Sequence, residues 1–358
     1  MAMTAIEALW RERVRAAAAA GTPLCLRGGG SKDFYGREAG GDVFELRANT
    51  GVVAYEPTEL VVTVRGGTPL AELEALLAAQ NQFLAFEPPH FGPAATVAGC
   101  VAAGLAGPRR MSQGAVRDFV LGVKMLDGRG ELLSFGGQVM KNVAGYDVSR
   151  LVAGSLGTLG IVLEVSLKVL PRPVAEATLR FEMDEAGAIE RMNAWGGQPL
   201  PVSATLWQAG VLHLRLSGAD AAVRAACARL GGERIDDATA AALWQSVREH
   251  AHDAFALAPG ESLWRLAVPT TAPALGLPGR QVMEWGGGVR WLAGTADAAV
   301  VRARAAAVGG HATCFRGGDR RGAVFHPLAA SVATLHHRLK KAFDPAGILN
   351  PGRLYAEF

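Results

Sequence analysis

Three glycine-rich stretches in the first half of the chain constrain its fold more than any other feature. They occupy residues 23–36, 94–107 and 154–160, and strand-like apolar runs stand next to the first and the last of them. Glycine lets a backbone turn tightly and approach another body closely, at an entropic cost that idle loops need not carry. The pattern predicts loops that meet around a ligand, although tight packing between segments explains the second stretch equally well.

The first stretch, PLCLRGGGSKDFYG, follows neither common spelling of a phosphate-binding loop. A Walker loop ends in Gly-Lys-Ser/Thr, whereas the order here is Gly30-Ser31-Lys32. A dinucleotide-binding turn needs a third glycine, and Asp33 stands in its place. Consecutive glycines can still turn their N–H groups toward an anion as a backbone nest. From these residues alone, a plain tight turn is an equal alternative.

Composition and charge exclude several classes of protein. Half of the 358 residues are hydrophobic and 19% are charged, which predicts a substantial core, about two domains and little disorder. A net charge of +3 argues against a dedicated nucleic-acid binder. No apolar run approaches the roughly 20 residues that span a bilayer, and the charged N-terminal segment does not resemble a secretory signal.

The cysteines argue against a cysteine-ligated metal centre. Cys25, Cys100, Cys227 and Cys314 form no C-x-x-C pair, so neither a zinc site nor an iron–sulfur cluster is indicated. Their spacing gives no disulfide framework either, and we expect buried free thiols.

Periodicity predicts alternating helices and strands in the first half. A helix is expected from about Thr4 and a strand at 24–26. A strand–helix–strand unit follows over residues 59–86, in which Thr68 caps the helix and Pro69 opens it.

The end of this half has two further strand signals. Residues 120–136 contain two apolar runs joined by Asp127-Gly128, which is typical of a hairpin. From Ile161 hydrophobic residues alternate strictly with others, which predicts a half-exposed strand. Pro171 and Pro173 end that strand, and we place a domain boundary there.

The second half alternates short strands with alanine-rich helices. Residues 218–235 and 294–315 resemble each other, since each has an Asp near a helix start, a Gly-Gly stop and a following strand. This predicts an antiparallel sheet with helices on one face, whether or not the two segments record a duplication.

Taken in order, the motifs RGGGSKDFYG, EPTELVVTV, FEPP, ATVAGCVAAGLAG, KNVAGYD and GSLGTLGIV resemble the FAD-binding domain of the vanillyl-alcohol-oxidase/PCMH flavoprotein family. The match covers about residues 23–170. More narrowly, GGQVMKNVAGYDVSRLVAGSLGTLGI and the tail AFDPAGILNPGRLY are similar to the glycolate oxidase group. The size and the second half are most similar to the smaller FAD-binding subunit of that group.

The resemblance implies an α+β fold in three parts. Residues 1–172 would form a PCMH-type FAD-binding domain of two α/β subdomains, and residues 173–335 an α+β cap domain with an antiparallel sheet. Residues 336–358 would form a C-terminal helix and tail that pack back on the FAD domain.

The resemblance also implies a set of FAD contacts, in which the loops line one cleft. The first loop would hold the pyrophosphate, the second would pass along the cofactor and the third would close around the adenosine half. The expected contacts are Arg27, Gly28, Gly29, Gly30, Ser31, Lys32, Pro89, Thr96, Val97, Gly99, Gly104, Gly154, Gly157, Thr158, Gly160 and Ile161. The family's attaching histidine commonly sits near the first loop, where none occurs, so we expect non-covalent FAD.

Several polar residues have a structural interpretation beside a functional one. Arg117 and Asp118 are expected to form an internal ion pair rather than to contact the ligand, and the side chain of Lys32 is expected in solvent. His90 follows the FEPP motif, near the expected position of the flavin ring. Asn142, Tyr146 and Asp147 fit either ligand contacts or structural hydrogen bonds.

The resemblance weakens at the substrate. Relatives that oxidise 2-hydroxy acids often carry H-x-G-D-G-N-x-H, and only His213 remains of it here, so we expect no metal site. Four arginines of the cap could clamp a carboxylate, with surface charge as the alternative for each: Arg265, Arg290, Arg320 and Arg321.

Two principal roles follow for the flavin. The chain either oxidises a 2-hydroxy acid such as glycolate itself, or relays electrons within a complex whose substrate site lies on another chain; the missing histidines favour the relay. A cofactor-free scaffold is a third role, against which the glycine loops count. The family implies a larger FAD subunit and an iron–sulfur subunit as partners, in the cytoplasm or peripheral to the inner membrane through the complex.

Overall fold

The computed structural model describes residues 4–137 and 147–358, which form an α+β fold with two large sheets and two short strand pairs. The helices are α1 (Ala5–Ala20), α2 (Leu70–Ala78), α3 (Val97–Ala103), α4 (Arg110–Gln113), α5 (Val116–Phe119), α6 (Val148–Leu151), α7 (Glu185–Gly196), α8 (Asp220–Leu230), α9 (Asp237–Arg248), α10 (Ala298–Ala307) and α11 (Ala330–Phe343).

The strands fall into two sets, up to Pro171 and from Ala175 onward. In the first half they are β1 (Leu24–Arg27), β2 (Asp42–Glu45), β3 (Val52–Glu56), β4 (Val61–Arg65), β5 (Gln82–Phe83), β6 (Val120–Leu126), β7 (Leu132–Gly136), β8 (Ile161–Lys168) and β9 (Leu170–Pro171). In the second half they are β10 (Ala175–Glu182), β11 (Val202–Gln208), β12 (Val211–Gly218), β13 (Glu233–Ile235), β14 (Ser262–Ala267), β15 (Arg280–Glu284), β16 (Val289–Gly294) and β17 (His311–Arg316).

Helix α1 begins where the sequence predicts it. Thr4 Oγ1 accepts a hydrogen bond from the backbone N–H of Glu7, and the Glu7 carboxylate accepts one from the N–H of Thr4. This reciprocal cap satisfies two N–H groups that a helix start otherwise leaves unpaired. Trp10 and Val14 then pack on the underside of the first sheet.

The first sheet has the order β3-β4-β8-β6-β7, so β8 is its central strand. The prediction of a half-exposed β8 is therefore wrong. Ile161 and Leu163 pack toward α1, while Val165 and Leu167 join the core that includes α2 and α3. Only Glu164 and Lys168 keep partial exposure along the strand. Strict alternation does not reveal that a second layer covers the other face.

Two local predictions in this half also need correction. Strand β5 pairs with β9 and not with the sheet of β4, so residues 59–86 are not a β-α-β unit within one sheet. Thr68 does not cap α2, because its hydroxyl donates to the Arg65 carbonyl at 2.7 Å and accepts from the Gly51 N–H at 3.0 Å. The hydroxyl holds the turn before the helix instead.

The predicted hairpin of β6 and β7 forms, but its turn is longer than the Asp-Gly pair implies. The Asp127 carboxylate accepts from the N–H groups of Arg129 and Glu131 at 2.9 and 2.8 Å. Gly130, and not Gly128, takes the positive φ of +72° that closes the turn. Asp127 thus organises a five-residue connection by local hydrogen bonds.

The second sheet has eight antiparallel strands in the order β13-β10-β12-β11-β15-β16-β14-β17. The sheet consists of two four-stranded halves, β10 to β13 and β14 to β17. Counted from its edge strand inward, each half has its strands in the same order: the fourth in sequence, then the first, the third and the second. This internal symmetry favours the duplication that the sequence left open, because both similar segments, 218–235 and 294–315, end in an edge strand.

The two faces of this sheet have different covers. Helices α7, α8 and α10 pack on the outer face, as predicted. Helix α9 departs from that prediction, since Trp244 and Val247 pack on the inner face together with Tyr35 and Leu105 of the first half. The inner face is thus a shared core between the cap and the glycine loops.

The tail returns to the first half. Leu24 N–H donates to the Ile348 carbonyl at 2.7 Å. The Lys340 ammonium, on α11, donates to the carbonyls of Thr158 and Leu349 at 2.9 and 2.6 Å. A buried lysine with these acceptors joins α11, the third glycine stretch and the tail.

Candidate cofactor site

A cavity of about 350 Å³ lies between the first glycine stretch, α3 and the tail. Half of the predicted cofactor contacts line it: Arg27, Gly28, Gly29, Gly30, Ser31, Lys32, Thr96 and Gly99. The fold thus brings the first two glycine stretches to one wall.

The first loop offers unpaired donors to this cavity. Among the described residues, the backbone N–H groups of 28–32 have no protein acceptor, and pairing resumes where Asp33 N–H donates to the Gly30 carbonyl at 3.1 Å. Unpaired backbone donors are uncommon in folded proteins, and successive ones form an anion-binding nest. The geometry suits a phosphate or diphosphate group.

Steric crowding explains why the loop is built from glycine. A Cβ on Gly28 would stand 2.6 Å from Thr96 Oγ1, and one on Gly29 would overlap the Ala94 carbonyl oxygen. Thr96 is meanwhile fixed as the N-cap of α3, where its hydroxyl accepts from the Gly99 N–H at 3.2 Å. The second stretch therefore presses directly on the first.

A smaller cavity of about 70 Å³ adjoins the first, and Gly28, Thr96 and Gly99 line both. Its walls include Gly157, Gly160 and Ile161 from the third predicted loop. All three glycine stretches therefore meet around connected space.

Five predicted contacts lie outside these two cavities, and one of them, Pro89, lines a third cavity described below. Val97 is buried in the core beneath α3. Gly104 ends α3 and lies against Gly154. A Cβ on Gly104 would stand 2.9 Å from the Cα of Gly154. Thr158 is buried, with its hydroxyl donating to the Ser155 carbonyl at 2.8 Å. These residues pack the loops together, which was the alternative interpretation of the glycine stretches.

Lys32 is not a solvated side chain, contrary to expectation. Its ammonium donates to the His90 carbonyl at 3.2 Å and lines the large cavity. Burial lowers the pKa of Lys32, whereas the charge of Glu249 opposes that shift. Arg27 differs, because Asp33 pairs with its guanidinium at 2.7 Å.

The tail supplies cavity residues that sequence reasoning missed. Asn350 and Arg353 line the large cavity, together with Arg320 from the cap. Asn350 accepts from the Leu26 N–H at 2.7 Å and donates to the Leu156 carbonyl at 2.6 Å. The Asn-Pro-Gly turn in the tail was the available signal, since such turns place a side chain by local geometry.

A third cavity of only about 20 Å³ lies under the cap and includes the predicted contact Pro89. Three of its lining residues, Phe91, His250 and Trp285, have positive φ angles of 53°, 51° and 54°. Such strained backbone in non-glycine residues concentrates at functional sites. A volume of this size holds about one water molecule.

Three of the four cap arginines considered for a carboxylate are already occupied. Arg290 is buried and donates to the carbonyls of Pro273, Ala272 and Gly287. Arg320 donates to the carbonyls of Gly36 and Arg37, and the exposed Arg321 pairs with Glu38 at 2.8 Å.

Arg265 alone of the four lines the third cavity and has no carboxylate partner in the described part of the chain. Its guanidinium lies 5.1 Å from the centre of the Trp285 ring. It is therefore the arginine of the four best placed to meet an anion.

Two titratable groups share that small cavity. Burial raises the pKa of Glu284 to about 7, although Trp291 Nε1 donates to its carboxylate at 2.7 Å. Burial lowers the pKa of His250 well below its ordinary value, and Arg316 and Arg265 lower it further. His250 Nδ1 is buried and has no hydrogen-bond partner among the described residues.

Other candidates have structural roles. His90 Nε2 lies 3.0 Å from Glu74, so its ring joins a surface network. Arg117 and Asp118 pair at 3.9 Å, but both are exposed, which corrects the expected internal pair. Asp147 pairs with Arg150 at 2.8 Å, while Asn142 and Tyr146 lie outside the described residues.

Two absences hold within residues 4–137 and 147–358. No cluster of three histidine, cysteine or acidic side chains is arranged to hold a metal ion. No helix combines the length and apolar character needed to cross a bilayer.

The cavity walls fit an FAD molecule by their donor chemistry. A run of unpaired N–H groups meets the need of a diphosphate, and the Lys32 ammonium adds a cation beside it. The adjoining cavity, lined by Gly157 and Ile161, extends the site as an elongated dinucleotide requires.

Comparison with known families agrees with this geometry. The family model for the FAD binding domain matches residues 7–136, and that for the C-terminal domain of FAD linked oxidases matches residues 328–354. The second match covers the segment that supplies Asn350 and Arg353.

Individual relatives point the same way. The chain is 47% identical to glycolate oxidase subunit GlcE of Escherichia coli over 97% of its length and 96% of that protein. It is 32% identical to glycolate oxidase subunit GlcD of Bacillus subtilis over 44% of the chain and 34% of that protein. A D-lactate dehydrogenase of Anaerostipes hadrus is 34% identical over 39% of the chain and 29% of its own length.

A solved structure shows that the fold itself is shared. Alkyldihydroxyacetonephosphate synthase superposes with a TM-score of 0.66 over 95% of this chain and 73% of its own, at 14% sequence identity. At this identity the similarity concerns architecture alone.

Proposed function

The chain belongs to the family of FAD-linked oxidases that contains glycolate oxidase subunit GlcE, and we propose that it is the FAD-binding subunit of a complex that oxidises a small 2-hydroxy acid to the 2-oxo acid. The observation that carries this proposal is the run of unpaired N–H groups at residues 28–32, which line a cavity shared with the second glycine stretch. A bound flavin supplies an acceptor for the two electrons of the substrate.

The loops divide the work of holding the cofactor. Residues 28–32 would bind the diphosphate through N–H groups, and Thr96 would fix the adjoining wall. Gly157, Gly160 and Ile161 would contact the adenosine half through the smaller cavity. Pro89 would stand beside the flavin ring.

Partner subunits complete the proposed complex. The names GlcE and GlcD designate subunits of glycolate oxidase, and by that relationship a larger FAD subunit would work with this chain. An iron–sulfur subunit would carry electrons onward to a membrane acceptor, because the sequence contains no C-x-x-C pair to ligate a cluster.

The first experiment concerns the isolated chain. We expect it to be yellow when purified, to release FAD on denaturation, and to oxidise glycolate poorly until the partner subunits restore dye reduction. A colourless chain that takes up no added FAD would contradict the proposal. Fast turnover without partners would contradict the relay role while leaving the FAD site intact.

A second candidate function is favoured by Arg265. This arginine forms no ion pair among the described residues, although its charge acts on the Glu284 carboxylate in the same cavity. The unpartnered Nδ1 of His250 also lines that cavity, so a small carboxylate could bind there. The cavity of about 20 Å³ would have to widen by movement of surrounding aromatic side chains.

Substitution distinguishes the two roles. In the assembled complex, Arg265→Met would raise the KM for glycolate about 10-fold or more if the site were used. Arg321→Met is the matched control, because that arginine is exposed and Glu38 is its ion-pair partner among the described residues. Equal kinetics for both variants would leave the relay as the role of this chain.

A further inference from the structure

The tail arginine Arg353 grips the loop that follows the unpaired N–H groups. Its guanidinium donates to the Arg37 and Tyr35 carbonyls at 2.6 Å each and to the Asp33 carbonyl at 3.2 Å. The Lys32 carbonyl lies at 3.5 Å from the same group. One side chain thus spans the segment 32–37 from its first residue to its last.

This grip is reciprocal. Arg37 donates to the Gly352 carbonyl in the tail at 2.9 Å, and Arg37 N–H donates to the Arg353 carbonyl at 3.0 Å. Arg320 of the cap adds hydrogen bonds to the carbonyls of Gly36 and Arg37 at 2.9 and 3.2 Å. The loop is therefore held by the tail and the cap together, and local sequence does not fix it alone.

Arg353 has no ion-pair partner among the described residues. All its hydrogen-bond partners are neutral carbonyls, and no carboxylate lies within ion-pair distance in the described ranges. Burial lowers the pKa of Arg353, and the charge of Arg320 lowers it further. The charge of Asp33 opposes that shift. Arg320 and Arg353 both line the large cavity, which Asp33 and Glu38 also line.

We propose that Arg353 is a positioning residue for the diphosphate of the cofactor, acting by fixing residues 32–37 and by placing a guanidinium without an ion-pair partner at the cavity. This inference rests on the proposed function, because it needs an anionic cofactor in that cavity. The fork of the guanidinium matters as well as its charge, since one lysine ammonium cannot span the same carbonyls.

The tail is well suited to this role because it is anchored independently. Asn350 bonds to Leu26 and Leu156, and Leu349 accepts from the buried ammonium of Lys340. Removing the Arg353 side chain therefore leaves the tail attached to the protein, and the expected loss is confined to the loop and the charge.

The test compares three variants of the full chain purified with FAD: Arg353→Met, Arg353→Lys and the control Arg321→Met. The dissociation constant for FAD is measured by flavin fluorescence at low and high salt, and the melting temperature is recorded for each FAD-free protein. We expect Arg353→Met to weaken FAD binding about 10- to 100-fold and to reduce its salt dependence, and Arg353→Lys to restore part of the affinity.

The outcomes separate the inference from the function on which it rests. If Arg353→Met binds FAD as tightly as the unaltered chain and Arg321→Met, the inference is wrong and the proposed function stands. If both Arg353 variants lose affinity equally and melt equally early, the residue acts by packing and the inference is also wrong. If the unaltered chain takes up no FAD, both proposals fail.

Discussion

The two sides of the site, the glycine-loop cavity and the small cavity under the cap, are built from opposite materials. The first has about 350 Å³ of space and walls made largely of backbone, whereas the second has about 20 Å³ and walls of aromatic and ionisable side chains. Backbone donors read a phosphate without regard to the side chains around them, while side chains define chemistry at one place. The first cavity therefore suits an anionic group held by backbone N–H groups, and the second suits chemistry at single side chains.

The two regions also differ in their steric constraints. In the glycine loop, crowding against Ala94 is relieved by the absence of side chains. Under the cap, Phe91, His250 and Trp285 adopt left-handed backbone conformations although each has a large side chain. The first arrangement needs only small residues, whereas the second needs a surrounding core strong enough to impose the strain.

The largest expected effect concerns Glu87, which joins the first half of the chain, where the glycine loops lie, to the cap. Its carboxylate accepts from Arg109 N–H and Nε at 2.9 Å each and from Arg215 of the cap at 2.8 Å. Burial alone would raise the pKa of Glu87, but Arg215 and Arg109 outweigh it and the pKa is lowered. Glu87→Ala leaves two buried guanidinium groups without this partner, so the free energy of unfolding should fall by about 3–5 kcal/mol.

Urea unfolding of the holo-chain measures this loss, with Glu38→Ala as the matched control. Glu38 also pairs with an arginine, but at the surface, and its removal should leave the unfolding midpoint unchanged. If Glu87→Ala unfolds at the same urea concentration as the control, the first half of the chain and the cap are not coupled through this network.

The next effect tests the cap cavity by pH. The folded pKa of Glu284 is raised to about 7 from an ordinary value of 4.5, so its contribution to stability is greatest below pH 4.5 and is lost as the pH rises through 7. The loss should reach about 3 kcal/mol by the alkaline side of that window. Glu284→Gln should remove this dependence.

Unfolding free energies of both proteins on either side of that window check the prediction. The unaltered chain should become less stable relative to Glu284→Gln as the pH increases. A constant difference across the window would mean that Glu284 ionises normally, and the cap cavity would then lack its unusual acid.

The third effect returns to the glycine loop. Gly29→Ala would push a methyl group into the Ala94 carbonyl, so the loop must move and FAD affinity should fall about 100-fold, which corresponds to about 2.8 kcal/mol. Gly40→Ala is the matched control, since no atom lies within 4 Å of its added Cβ. FAD retention after gel filtration measures both, and equal retention would show that the crowding is not essential.

These contrasts explain which parts of the site the sequence could predict. The succession from Gly28 to Ser31 allowed two predictions, an anion-binding nest or a plain tight turn, because consecutive glycines favour both locally. The sequence could not predict the packing roles of Gly104 and Gly154, because these two residues are distant in the chain and contact each other only in the folded protein. The same glycine-rich stretches therefore contain residues that line a cavity and residues that pack the loops together, and their local sequences do not distinguish the two kinds.

The remaining gaps arise where distant segments meet. Helix α1 covers one face of β8, and α2 and α3 cover the other. The alternating pattern of β8 contains no information about these helices, so it predicted too much exposure for the strand. Likewise, the selection of Arg265 from four cap arginines needed the partners of the other three. The fold class and the cofactor loops were predictable, whereas the partners of individual charges were not.

The smallest expected effect concerns a charge pair that belongs to neither region. Arg117 and Asp118 are exposed, and their charged groups lie 3.9 Å apart. The Asp118 carboxylate also accepts a hydrogen bond from the Ala115 N–H at 2.8 Å, at the start of α5. Because water screens the pair, Arg117→Ala should change the free energy of unfolding by less than about 0.5 kcal/mol and leave FAD affinity unaltered. Asp118→Ala should cost more, about 1 kcal/mol, because it removes a helix cap. Urea unfolding of the two variants ranks them, and a larger loss for Arg117→Ala would mean that the guanidinium has a stabilising partner beyond Asp118.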